Sequence, residues 1–129
     1  EGRAPDMGYT GSPVLHGDLL FVHPGGRQGS SLAAFNKRDG ALVWKQESDV
    51  VGCSTPILVP YKGKLQLVHF TGQGLVAVRP EDGGVLWRYE WKTAFDLNVA
   101  TPIHRDGQIF ISSNYGKGAA MVRIQEGPA

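Results

Sequence analysis

The feature that most constrains this chain is an internal echo. Asp39-Gly40-Ala41-Leu42-Val43-Trp44 returns as Asp82-Gly83-Gly84-Val85-Leu86-Trp87, with Asp, Gly and Trp each displaced by 43 positions. Ser12-Pro13-Val14-Leu15 returns as Thr55-Pro56-Ile57-Leu58 at the same offset, and as Thr101-Pro102-Ile103 a further 46 residues on. Leu32-Ala33-Ala34-Phe35 maps onto Leu75-Val76-Ala77-Val78 and then onto Met121-Val122-Arg123-Ile124. Three anchors in one register divide the chain into an extension over residues 1–10 and repeats over about 11–53, 54–99 and 100–129. The third repeat lacks the Asp-Gly…Trp segment. A period of ~40–45 residues is a hallmark of stacked supersecondary units.

Within each unit the pattern predicts short strands. Leu19–His23, Ser31–Asn36 and Ala41–Gln46 are apolar runs of strand length, separated by turns that use Gly17-Asp18 and Asp39-Gly40. Unit two repeats the order with Ile57–Val59, Leu65–Phe70, Leu75–Val78 and Val85–Tyr89. Glycine, at 18 of 129 residues, is about twice its usual share of ~7% and supplies those turns. No stretch carries a helical period. Four antiparallel strands per repeat make a propeller blade, and near-continuous apolar runs fit a sheet buried on both faces. The expected class is all-β, as β-propeller blades: two full repeats plus a truncated third, an incomplete ring.

Charge and composition exclude several function classes. Thirteen basic against twelve acidic residues leave a formal charge of +1, with no electrostatic basis for nucleic acid as a partner. No apolar run approaches the ~18 residues of a helical membrane span. The single cysteine, Cys53, allows neither an internal disulfide nor a thiolate zinc cage. The first residues have neither the basic start nor the apolar core of a signal peptide, and the missing initiator Met suggests a processed or trimmed chain.

The Trp segments resemble the repeat of the quinoprotein-like propellers, the unit of pyrroloquinoline quinone (PQQ) dehydrogenases and of outer-membrane assembly scaffolds. That repeat runs Ala-x-Asp-x-x-Thr-Gly-Lys-x-x-Trp. Ala34, Gly40 and Trp44 match in unit one, and Ala77, Gly83 and Trp87 in unit two; Asn36, Asp39 and Ala41, with Arg79, Asp82 and Gly84, depart from it. The resemblance implies that Trp44 and Trp87, with Gly40 and Gly83, dock each blade on its neighbour. It also implies a bacterial periplasmic or envelope setting. The repeat serves catalytic and non-catalytic proteins alike.

Too few blades for a ring implies apolar terminal faces and open strand edges, which mark interfaces. The expected partners are copies of the chain in a homo-oligomer or the remainder of a larger propeller, with Arg3–Tyr9 a candidate to supply the missing strand of the third blade. A peptide or protein partner would dock on an edge or on the loop face.

Loops after the second strand and loops between blades open at the same end. They bring His23, Arg27, Asp49, Asp96, Asn98, Asn114, Tyr115 and Lys117 to one mouth, with Trp91 and Phe95 as aromatic contacts. His23, Arg27, Asp96, Asn98, Asn114, Tyr115 and Lys117 are the candidate binding residues. No catalytic or metal-ligating set is assigned. His23 and His69 hold equivalent repeat positions, but no HxxxH or HExxH spacing accompanies them. No phosphate loop or nucleophile elbow occurs. The expected function is therefore a non-catalytic scaffold for protein or ligand binding, with no cofactor. The alternative is a fragment of a quinoprotein dehydrogenase using PQQ and calcium. There Asp96 and Asn98 would offer oxygen to calcium, but the adjacent cysteines that pack on the quinone are missing.

Overall fold

The computed structural model describes residues 8–25 and 28–125. Among these residues eleven strands form three antiparallel meanders. Blade 1 contains β1 (Val14–His16), β2 (Leu19–Val22), β3 (Leu32–Asn36) and β4 (Leu42–Gln46). Blade 2 contains β5 (Ile57–Tyr61), β6 (Lys64–Thr71), β7 (Gly74–Val78) and β8 (Val85–Glu90). Blade 3 contains β9 (Ile103–Arg105), β10 (Gln108–Ser113) and β11 (Gly118–Arg123). Strand order follows chain order in every sheet, and no α-helix occurs among the described residues. The all-β repeat architecture expected from the echo is the observed one.

Alternation sends successive side chains to opposite faces of each sheet. In blade 1, Val14, Phe21, Ala34 and Trp44 stand in register across four strands. They pack against Leu58, Leu67, Val76 and Val78 of blade 2. The other face of blade 2 presents Ile57, Val68, Ala77 and Trp87 in the corresponding register. With Val59, Phe70 and Leu75 these close on Ile109, Ile111, Val122 and Ile124 of blade 3. Blade 2 therefore has a core on each side, which explains why β7 reads Leu-Val-Ala-Val without a polar residue.

Both outer strands are bulged at the same place. Register shifts between Ala34 and Phe35 in blade 1, and between Ala77 and Val78 in blade 2. Trp44 pairs with Ala34, whereas Leu42 pairs with Phe35, so Val43 is the extra residue. The bulge puts Leu42 and Trp44 on opposite faces although they are two residues apart. Trp44 is buried and Leu42 is exposed.

The row equivalent to these docking faces in blade 3 is Ile103, Phe110 and Met121. It is uncovered among the described residues, with exposures of 64%, 37% and 60%. Of the segment Arg3–Tyr9, the candidate for a fourth strand, residues 3–7 lie outside the described residues.

Candidate functional site

The connections β2–β3, β4–β5, β6–β7, β8–β9 and β10–β11 meet at one end of the stack. Ser31 donates its backbone N–H to the Glu47 carbonyl, Gly72 to that of Val50, Cys53 to that of Asn98 and Trp91 to that of Gln73. The approach is close: a Cβ at Gly25 would lie within 1.8 Å of the Val51 side chain, and one at Gly52 within 2.2 Å of the Phe70 carbonyl. Such contacts are open only to glycine.

Beneath the surface, this end is held by a polar network. Asn98 is fully buried. Its amide donates to the carbonyls of Thr71 at 2.8 Å and Trp91 at 3.2 Å, and its Oδ1 accepts from the Ser113 hydroxyl at 2.6 Å. The Trp91 indole N–H donates to the same hydroxyl at 3.0 Å. Asn98 thus ties three connections together, with both amide hydrogens donated and its oxygen accepting one bond.

A second cluster links blade 2 to the β4–β5 connection. Arg88 forms a forked contact with Asp49 at 3.1 Å and pairs with Glu47. Thr71 donates its hydroxyl to Asp49 at 2.7 Å. Burial pushes the Asp49 carboxyl above its ordinary value, and the Thr71 bond draws it back. Burial likewise lowers Arg88. Sequence reading named Asp49 as a mouth residue but missed Arg88. The available signal was its repeat partner, since Lys45 and Arg88 are basic residues 43 positions apart.

The exposed part of the mouth is aromatic. Phe95 and Tyr115 meet edge to face with ring centroids 5.7 Å apart, at exposures of 79% and 58%. Lys117 lies over the Trp91 ring, 4.8 Å from its centroid. Phe95, Asp96 and Tyr115 all have left-handed backbone, at φ of 69°, 54° and 55°. A bulky residue in that region is strained.

The seven candidate residues therefore separate. Asp96, Asn114, Tyr115 and Lys117 sit around the blade 2–blade 3 side, with Asn98 beneath as a tie. Arg27 lies outside the described residues. His23 is in a different place, between blades 1 and 2, edge to face with His69 at 5.7 Å. It lines a cavity of about 290 Å³ with Tyr9, Pro13, Pro24, Val51 and Pro56. Among the described residues, neither His23 Nε2 nor the two nitrogens of His69 have a hydrogen-bond partner. Burial lowers His23 to about 4 and holds His69 well below its usual range, so both rings are neutral.

The blade-docking residues carry the repeat geometry directly. Trp44 donates its indole N–H to the Pro80 carbonyl of blade 2 at 2.8 Å, and its ring lies against Gly83. Trp87 instead donates to Gln66 Oε1 in its own blade at 2.7 Å while packing on the blade 3 side. This three-sheet geometry agrees with the match of the chain to a family model, described as outer membrane protein assembly factor BamB, over residues 4–128. The chain belongs to that PQQ-repeat family. No curated protein matches it.

Membership raises the question of a quinone and its calcium. Asn98 and Asp96 are the oxygen donors that sequence position suggests, but the Asn98 oxygen already accepts Ser113 and its amide is spent on two carbonyls. Among the described residues, no group of three or more His, Cys, Asp or Glu side chains is placed to hold a metal ion. Asn98 is thus engaged within the fold, which leaves Asp96 of that pair of donors.

Proposed function

We propose that this propeller segment is a non-catalytic scaffold whose loop end binds a peptide or protein, in the bacterial envelope setting typical of its family. The observation that supports this most is the pair Phe95 and Tyr115. Each is a large ring held toward solvent on left-handed backbone. Apolar area exposed at a cost in strain is characteristic of contact surfaces rather than of folding. Lys117 and Asp96 flank the pair with opposite charges and would orient a polar backbone across it. The network of Asn98, Ser113 and Trp91 holds the platform from below, giving a rigid presentation that limits the entropy lost on binding. Among the described residues the outer faces of blades 1 and 3 leave Leu15, Leu42, Ile103 and Met121 exposed, which supports completion by further blades, from other copies or from the rest of a longer propeller.

A peptide library panned on the chain tests this reading. Selected peptides should lose at least about tenfold in affinity for a Phe95→Ser/Tyr115→Ser variant, the size of effect expected when anchor residues are cut back. Equal affinity for the variant would refute the aromatic platform. Titration with PQQ and calcium, followed by absorbance, separates the dehydrogenase alternative: a calcium-dependent spectral change would favour it.

A further inference from the structure

Three Asp-Gly pairs stand in turns of this chain: Asp39-Gly40, Asp82-Gly83 and Asp106-Gly107. In such a pair the backbone nitrogen of the glycine can attack the carboxyl carbon of the aspartate, because no glycine side chain obstructs the approach. The product is a succinimide ring. Whether it forms depends on what holds the carboxylate and on what can take the proton of the attacking nitrogen. The three pairs differ in both respects.

Two of the pairs are held back. Gly40 N–H donates to the Asn36 carbonyl at 2.8 Å and Gly83 N–H to the Arg79 carbonyl at 2.9 Å, and a peptide carbonyl takes up no proton at neutral pH. Their carboxylates are engaged too. Asp39 accepts from Ala41 N–H at 2.9 Å, and Asp82 accepts from Gly84 N–H at 2.9 Å and from the Arg79 guanidinium. The third pair differs. Asp106 and Gly107 form the two-residue loop between β9 and β10, both left-handed at φ of 49° and 73°. Gly107 N–H donates to Nε2 of His104 at 3.2 Å, so an unprotonated imidazole nitrogen faces the atom that would attack. That distance is the reach of a general base. The Asp106 side chain is 89% exposed, and among the described residues its partner is Arg105 Nε at 3.5 Å, in a pair open to solvent.

We propose that Asp106-Gly107 is a self-modifying site that converts to isoaspartate, with His104 as its general base. Gly107 N attacks Cγ of the protonated Asp106 carboxyl; the N–Cγ bond forms and the amide proton passes to His104 Nε2. The Cγ–OH bond then breaks, the departing hydroxyl takes that proton back, and one water is released. Water added to the ring at one carbonyl restores aspartate, and at the other it gives isoaspartate. Isoaspartate routes the chain through Cβ and Cγ, one backbone atom longer. The loop is tied where that atom enters. The Gly107 carbonyl accepts Ile124 N–H at 2.9 Å, and the Ile124 carbonyl accepts the Tyr61 hydroxyl of blade 2 at 3.1 Å. A Cβ on Gly107 would lie 3.0 Å from Cε2 of Tyr61. Conversion therefore loosens blade 3 from blade 2. The site lies at the opposite end of the stack from the aromatic platform, shares no residue with it and does not depend on it.

The test ages the folded chain in warm neutral buffer. Isoaspartate is counted by methyl transfer from S-adenosylmethionine with an isoaspartate-specific carboxyl methyltransferase, and placed by mass spectrometry of peptides. Position 106 should accumulate it at least about tenfold faster than positions 39 and 82, a fraction of what a fully positioned base supplies. His104→Gln keeps an oxygen to accept Gly107 N–H but cannot take up its proton. In that variant the rate at 106 should fall about tenfold while the rates at 39 and 82 stay as they were. A residue that merely restrains the loop predicts the reverse, so an unchanged or raised rate at 106 would overturn the role of His104. Equal rates at the three pairs of the native chain would overturn the site itself, and that comparison stands whatever His104→Gln does to folding.

Discussion

Trp44 and Gly83 are joined across the blade 1–blade 2 boundary, the glycine leaving room for the indole and the neighbouring Pro80 carbonyl accepting its N–H at 2.8 Å. They come from different repeats, so blade 1 is fastened to blade 2 by a side chain of one and a bare backbone position of the other. Trp44→Phe should cost about 1–1.5 kcal/mol, through the hydrogen bond lost in a buried place. Trp44→Ala should cost about 3–5 kcal/mol, because a cavity is added. Gly83→Ala should cost about 3 kcal/mol, since it combines left-handed strain with expulsion of the indole, whereas Gly40→Ala should cost only the strain, about 1 kcal/mol. Urea unfolding of the four variants would rank them. Equal losses at Gly40 and Gly83 would contradict the docking account.

The buried histidines make the blade 1–blade 2 boundary acid-sensitive. His23 has its folded pKa lowered from 6.5 to about 4 by desolvation, and His69 is lowered well below 6.5 by desolvation with repulsion from His23. An unfolded chain takes up these protons near pH 6.5 while the folded chain does not, so stability is full above that value and declines as pH falls toward 4. His23 alone should account for a loss of roughly 3 kcal/mol across that window. Asp49, whose pKa burial raises, acts with the opposite sign, so the comparison is made between variants. The urea midpoint of His23→Phe should fall less between pH 7.5 and 4.5 than that of the native chain. Parallel pH profiles would show that His23 is not desolvated in solution.

The repeat offset revealed the strands because it aligns residues that do the same job. Leu32–Phe35 and Leu75–Val78 fall on β3 and β7, and Met121–Ile124 spans the end of β11. Other features were hidden for physical reasons. The bulge opposite Ala34 changes which face Leu42 takes, and simple alternation cannot register an inserted residue. Asn98 reads as a loop polar residue from its neighbours, but burial and three hydrogen bonds make it a tie between connections, and those partners lie 7, 15 and 27 residues away. His23 and His69 are visible as repeat equivalents. Their meeting across two blades depends on stacking, which no local pattern encodes.

Arg88 bridges blade 2 to the β4–β5 connection through Asp49 and Glu47. Asp49 is buried whereas the Arg88 side chain is 42% exposed, so solvent moderates the pair. Arg88→Met should cost about 1–2 kcal/mol, largely because Asp49 is left buried without its cation. Adding Asp49→Asn should recover part of that loss, since the orphaned charge is then removed. Chemical denaturation of the two singles and the double gives the coupling. A double variant as unstable as the sum of the singles would mean that the contact does not carry the stability assigned to it.

Asn98 and Phe95 lie three residues apart in one connection and should respond oppositely to substitution. Asn98→Ala removes a fully buried amide and strands the Thr71 and Trp91 carbonyls and the Ser113 hydroxyl, so a loss of about 2–3 kcal/mol is expected. Phe95→Gly removes a ring that is 79% exposed and relieves a left-handed φ of 69°. Folding stability should therefore hold or rise by up to about 1 kcal/mol, the relief of strain being offset by the added freedom of the unfolded chain. The same variant should lose binding to peptides selected on the native chain. Stability kept and binding lost identifies a contact residue, whereas a loss of stability comparable to Asn98→Ala would assign Phe95 to the packing of its own loop.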